Sequence, residues 1–134
     1  MKITARHLEG YKFELDTERG VIRSDQSPQY GGDGTGLMPS ELFLCSLGSC
    51  LGQAVAYIAK KKRLELKGLT LEVEAEKDQE FFRYNHIRVR VQSDNADNVL
   101  GKVLELAKKY CFVSNTLNHG PEIQYSVEEK NERS

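Results

Sequence analysis

Pro39-Ser40-Glu41-Leu42-Phe43-Leu44-Cys45-Ser46-Leu47-Gly48-Ser49-Cys50-Leu51-Gly52-Gln53-Ala54-Val55-Ala56-Tyr57-Ile58-Ala59 reads as one helix with almost no polar side. Pro39 suits its first turn, where the missing N–H would have had no partner. From Leu42 to Ala59 the residues Leu42, Phe43, Leu44, Leu47, Leu51, Ala54, Val55, Ala56 and Ile58 cover nearly the whole circumference. A helix apolar all round is buried all round. Lys60-Lys61-Lys62-Arg63 then supply cations at its negative end, which makes that run a solvated cap rather than a nucleic-acid patch. Folded, a chain of this size exposes about 7,100 Å² of the roughly 22,000 Å² of its unfolded form, enough burial for one core. A single domain over residues 1–134 is therefore expected. One small sheet covers only one side of such a helix, so part of its cover is expected from a second subunit.

Strand patterns flank the helix. Ile3–Leu8, Tyr11–Asp16 and Val21–Ser24, separated by Glu9-Gly10 and Glu18-Arg19-Gly20, predict a three-stranded meander. Residues 25–38 carry Pro28, Gly31, Gly32, Gly34 and Gly36 and read as a flexible surface loop. They lack the Lys-Ser/Thr that a phosphate-binding loop needs. Leu69–Glu76 and Ile87–Val91 alternate cleanly, and Glu72, Glu74 and Glu76 against Arg88 and Arg90 suit antiparallel neighbours. Asp94-Asn95 offers a helix N-cap before the stripe Val99, Val103, Leu104, Leu106 and Ala107. A further short helical turn is predicted after Cys111 and a last strand over Glu122–Val127, with Glu128–Ser134 frayed.

Charge narrows the function classes. Nineteen basic and 20 acidic side chains leave a net −1, no field to draw the chain to nucleic acid or an anionic membrane. Leu42–Leu51, the longest strongly apolar stretch, is too short to span a bilayer. Met1–His7 lacks the apolar region of a secretory signal, and a cytoplasmic location is the expectation.

Cys45, Cys50 and Cys111 are the sulfur inventory. An odd number in such a chain argues against a disulfide framework. Cys50 and Cys111 stand 61 positions apart, which fits neither a CxxC motif nor a zinc knuckle. Cys45 lies five residues before Cys50, about 140° round the helix, and reads as core. Gly48 and Gly52 bracket Cys50, each costing about 1 kcal/mol in a helix interior. Close helix packing explains them, and so does access to the sulfur. A free thiol, with pKa ~8.5, is only about 3% thiolate at pH 7. Moving a thiol down by about three units takes roughly 4 kcal/mol of preferential anion stabilisation. The helix dipole fades within one turn, and Cys50 is three turns in. A reactive Cys50 therefore needs an arginine from elsewhere, held by a carboxylate.

Pro39-Ser40-Glu41-Leu42, the run Leu47-Gly48-Ser49-Cys50, and Glu105–Leu117 around Cys111 together resemble the OsmC/Ohr family, the osmotically inducible and organic hydroperoxide resistance proteins. The resemblance covers nearly the whole chain and falls on the OsmC-like branch. It implies an α+β fold that forms an intertwined homodimer, two central helices wrapped by antiparallel sheets from both chains. It also implies a thiol-dependent peroxidase. Cys50 would be the peroxidatic residue, attacking an organic hydroperoxide and becoming a sulfenic acid. Cys111 would resolve that acid as an intramolecular disulfide, which an external dithiol or a lipoylated protein would reduce, with no bound cofactor or metal. The family glutamate stands ten positions before the first cysteine, at Ser40 here, and Glu41 is the candidate acid. Arg6 is the candidate activating arginine, with Arg23 second. Phe112 stands where better-studied members carry Pro.

Two other classes compete with the peroxidase. One is a non-catalytic, small-molecule-binding or stress-associated dimeric module that uses the same inter-subunit pocket. The other is a cysteine hydrolase using Cys50 with His119 and Asn115. His7, His86 and His119 lack paired metal-ligand spacing.

Overall fold

The computed structural model describes residues 1–95 and 98–130. It is α+β, with two small antiparallel sheets and three α-helices. Strands β1 (Thr4–His7), β2 (Phe13–Thr17) and β3 (Gly20–Ser24) form the expected meander in the order β1-β2-β3. Its register sets Arg6 opposite Glu14 and Glu14 opposite Arg23, so one face of the sheet is charged. Ala5, Leu15 and Ile22 pair across the other. A single turn of 3-10 helix, Pro28–Tyr30, interrupts the glycine-rich loop, and a parallel bridge joins Ser24 to Leu37.

Helix α1 runs Pro39–Lys61, beginning at the proline as its sequence requires. It ends where Leu64 N–H reaches the Ala59 carbonyl at 2.8 Å, with Arg63 in a left-handed conformation at φ 57°. Strands β4 (Thr70–Lys77) and β5 (Tyr84–Gln92) make the second sheet, with Glu72 opposite Arg90 and Glu74 opposite Arg88. The ion pairs form, Arg90–Glu72 at 3.6 Å and Arg88–Glu74 at 3.4 Å, on a wet face where each is worth under about 1 kcal/mol. The alternate residues Leu71, Val73, Ile87 and Val89 turn inward against α1. Helix α2 (Val99–Ala107), a 3-10 turn (Lys108–Tyr110) and α3 (Phe112–His119) follow.

Two apolar clusters run along α1. One joins Ala54, Val55 and Ile58 to Leu100, Val103 and Ala107 of α2; the other joins Leu47 and Leu51 to Cys111. The cover stops there. Six residues of α1 are buried, while Leu42, Phe43 and Leu44 are only partly covered and Ala56 and Tyr57 are open. As a whole, the 23-residue helix is long and apolar enough to cross a bilayer, which Leu42–Leu51 alone is not. Its packing against β4, α2 and α3 is that of a core helix.

Four expectations need correction. Glu122–Val127 forms no strand: Ile123, Tyr125 and Val127 keep the alternation but have no neighbouring strand among the described residues and are exposed. Asp94-Asn95 does not cap α2, which begins at Val99. The Asn95 side chain instead accepts the Lys67 N–H at 2.9 Å and donates to the Glu65 carbonyl, tying the α1–β4 connection down. Cys45 is exposed rather than core, because no described residue covers it on that side of α1. The glycine-rich stretch is a built loop around a buried carboxylate, Asp25.

Candidate active site

Cys50 sits in the middle of α1, in the apolar cluster that also holds Cys111. Leu47, three residues before Cys50, and Leu51, the residue after it, are the buried α1 members of this cluster, with Leu104 and Val113 packed against them. Cys50 is partly exposed and Cys111 is sealed from solvent; all three cysteines are free thiols. The glycines flanking Cys50 face the sheet. A methyl group on Gly48 would stand 3.2 Å from Val73 Cγ2, and one on Gly52 would stand 3.4 Å from Leu71 Cδ1. Close approach of β4 therefore bears on Gly48, whereas at Gly52 a methyl group would make only an ordinary contact.

Cys111 arrives at this cluster through a short, well-anchored junction. The α2 stripe ends at Ala107, one 3-10 turn follows, and Cys111 adopts an extended conformation before α3. The Tyr110 ring packs edge-on against Tyr57, centroids 5.4 Å apart. Tyr57 is seven residues beyond Cys50, two turns on and nearly on the same face of α1. Cys111 O accepts the Asn115 N–H at 3.0 Å and the Ser114 hydroxyl at 3.2 Å, which closes the first turn of α3.

The other candidate residues lie apart from the sulfurs. Because α1 starts at Pro39, Glu41 is already helical, and nine residues place it half a turn round from Cys50. Its carboxylate accepts the Met38 N–H at 2.9 Å and so serves the helix N-terminus. Arg6 donates to Asp16 and stands 3.8 Å from Glu14, while Arg23 reaches Glu14 from the other side at 3.8 Å. Both guanidinium groups are thus carboxylate-held on the meander, whose strands share no extended interface with α1 among the described residues. His119 Nδ1 bonds the Asn115 carbonyl at 2.6 Å, and the Asn115 amide donates to Lys109 O at 3.1 Å. Neither hydrogen-bonds to Cys50 among the described residues.

A family model described as OsmC-like protein matches residues 32–126. The chain belongs to this family. The match takes in both cysteines of the cluster, Glu41 and the unpaired segment as far as Ser126, and leaves out Arg6 and Arg23. This OsmC-like chain is 26% identical to a hypothetical protein from Aquifex aeolicus, with 89% of this chain and 87% of that one aligned and a TM-score of 0.74. An OsmC-like protein from Mycoplasma pneumoniae is 20% identical over the same shares, at a TM-score of 0.76. The organic hydroperoxide resistance protein OhrB of Bacillus subtilis is 21% identical over 86% of this chain and 88% of its own, at a TM-score of 0.62. No curated protein sequence matches.

The sequence reading missed Asp25. It is the one buried charged side chain among the described residues. The signal was an acidic residue opening a glycine-rich stretch, with a threonine ten positions on.

Proposed function

We propose that this chain is a cytoplasmic, thiol-dependent peroxidase that reduces organic hydroperoxides to alcohols. The Cys50 thiolate attacks the terminal oxygen of the hydroperoxide. The S–O bond forms as the O–O bond breaks, and the alkoxide leaves and takes a proton to become the alcohol. Cys50 is left as a sulfenic acid. The Cys111 thiol then displaces water from that sulfenic acid, giving the Cys50–Cys111 disulfide. An external dithiol, as a small molecule or a lipoylated protein, restores both thiols and leaves as its own disulfide. No bound cofactor or metal enters the cycle. The observation that carries this reading is the convergence of two thiols, 61 positions apart in sequence, in one apolar cluster with unequal access to solvent. The apolar walls suit the alkyl part of the substrate.

The working form is a homodimer. The single chain exposes 11164 Å². A compact chain of its size exposes about 7,100 Å². The excess, about 4,000 Å² on one chain, is more surface than one side of a standard interface buries and leaves room for an obligate one. The open side of α1 and the unpaired, alternating segment at Glu122–Val127 are surfaces that a second copy would cover. Within that dimer an arginine of the meander, Arg6 first and Arg23 second, would meet a Cys50 sulfur and hold it as the thiolate.

The test is consumption of tert-butyl or cumene hydroperoxide with dithiothreitol as reductant. Turnover that Cys50→Ser abolishes is expected. A folded dimer that consumes neither peroxide is instead the non-catalytic binding module, a reading favoured by the Glu41 carboxylate being spent on its own helix.

A further inference from the structure

Asp25 is 1% exposed and follows the last residue of β3. Four donors converge on its carboxylate. Oδ1 accepts the Gln26 N–H at 2.7 Å; Oδ2 accepts the Asp33 N–H at 3.2 Å, the Thr35 N–H at 3.1 Å and the Thr35 hydroxyl at 2.9 Å. The loop closes so tightly round this group that a side chain at Gly32 would strike the Gln26 carbonyl and stand 2.8 Å from Asp25 Oδ1. A side chain at Gly36 would meet the Arg23 carbonyl oxygen at 2.5 Å. The Thr35 N–H above all, with its hydroxyl and the other two amides, holds the Asp25 carboxyl below its ordinary range against the opposing effect of burial.

The clamped loop is a junction. Its Asp33 takes Lys12, from the β1–β2 connection, at 2.8 Å. Its Tyr30 lies under Lys77 at the end of β4, 5.2 Å from Nζ to the ring centroid. The Asp25 N–H donates to Leu37 O at 3.0 Å and the Leu37 N–H to Arg23 O at 3.2 Å, two residues before α1 begins. Among the described residues the meander shares no extended interface with α1, so its orientation to the helix depends on this junction. From Pro39 the helix carries the setting rigidly to Cys50, eleven residues and about 16 Å along.

We infer that Asp25 is a positioning residue: by clamping the loop that joins the arginine-bearing meander to the start of α1, it sets where Arg6 and Arg23 stand relative to a Cys50 sulfur of the dimer. The inference rests on the proposed activation of Cys50 by a meander arginine. Without the carboxylate, three amide N–H groups and a hydroxyl lose a buried acceptor, and the loop must open to hydrate them. The arginines would then lose their fixed register with the helix, while the two apolar clusters, which Asp25 does not touch, would remain.

The experiment uses the full chain with Asp25→Asn and, as a milder change that removes one hydroxyl bond, Thr35→Val. It reads the pH profile of Cys50 alkylation by peptide-resolved mass spectrometry, kcat/KM for cumene hydroperoxide, and the thermal melt. Asp25→Asn should move the midpoint of the alkylation profile up by about one pH unit or more and lower kcat/KM at least tenfold in folded protein. Thr35→Val should change both in the same direction by about threefold. Lower melting temperatures with an unmoved alkylation profile and unchanged kcat/KM would make Asp25 a structural residue only and overturn the inference. Arg6→Ala and Arg23→Ala run in parallel separate the two ideas. If either moves the profile and Asp25→Asn does not, the positioning role alone falls; if neither arginine moves it, the activation by the meander falls and the positioning role with it.

Discussion

Cys50 and Cys111 belong to one apolar cluster but differ in their access to water: Cys50 is partly open, and Cys111 is fully buried. In the proposed mechanism the asymmetry would order the chemistry. A peroxide diffusing in would meet Cys50 first, and a sealed Cys111 would be protected from direct oxidation until the sulfenic acid formed. Cys111 is buried in one cluster with Leu47 and Leu51 of α1, with Leu104 of α2 and Val113 of α3 packed against it.

Replacing the two sulfurs should therefore give different phenotypes. Cys50→Ser is expected to abolish peroxide consumption. Cys111→Ser should permit one oxidation per chain and then stall, leaving a sulfenic acid that dimedone traps. Equal and mild losses from both variants would contradict the assigned roles.

The arginines make a second prediction. Arg6 is held by Asp16 and Glu14, Arg23 by Glu14 alone at 3.8 Å. If the better-held group is the activator, Arg6→Ala should slow Cys50 alkylation at pH 7 by up to about thirty-fold, the ratio of full ionisation to that of a free thiol. Arg23→Ala should cost less. The two rates, measured at equal fold content, decide it, and a larger loss from Arg23→Ala would reverse the assignment.

Much of this architecture was legible in the chain, and the reasons differ by element. The meander, β4 and β5 announced themselves by alternation, and the Glu72, Glu74, Arg88 and Arg90 pattern specified their antiparallel register because opposite charges must face across the wet side. The start of α1 was legible within Met38–Glu41, and the helix begins at Pro39, whose missing N–H suits a first turn. Glu122–Val127 has a strand's alternation but nothing to pair with inside one chain, and pairing is what makes a strand. Asn95 reads as a cap by type, yet its amide satisfies backbone groups 28 and 30 residues away, a long-range bond that no local pattern encodes. Of the candidate site, the two cysteines were legible from their contexts. Asp25 was not, because its four donors come from a loop whose closure depends on contacts between separate elements.

Arg63 adopts φ 57° just past the end of α1, a conformation that costs a non-glycine residue about 1 kcal/mol or more. It is exposed and has no ion pair among the described residues. Arg63→Gly should stabilise the protein by about 1 kcal/mol, seen as a rise of a few degrees in Tm. A fall would mean that Arg63 makes a favourable contact in the dimer.

Acid sensitivity follows from two carboxylates. The Glu80 N–H first, then Arg83, holds the Asp78 carboxyl below its ordinary value of 3.8, as the loop amides do for Asp25. Each lowered group stabilises the fold above that value, and the contribution disappears as pH falls through the native one. Melting temperatures should therefore drop from about pH 4 downward, and Asp78→Asn should flatten that slope. Lys12 has the opposite sign. Asp33 and then Glu9 raise it above 10.5, so its contribution is complete below that value and is lost as pH rises through the native one. A slope unchanged by Asp78→Asn would refute the assignment.

The most direct measurement is peptide mass spectrometry of the reduced protein after one equivalent of cumene hydroperoxide, digested without reductant. A linked pair of peptides carrying Cys50 and Cys111, two mass units lighter than the free thiols together, is the predicted product. Peroxide left unconsumed, or oxidation confined to the exposed Cys45 with Cys50 and Cys111 still free, would contradict the account.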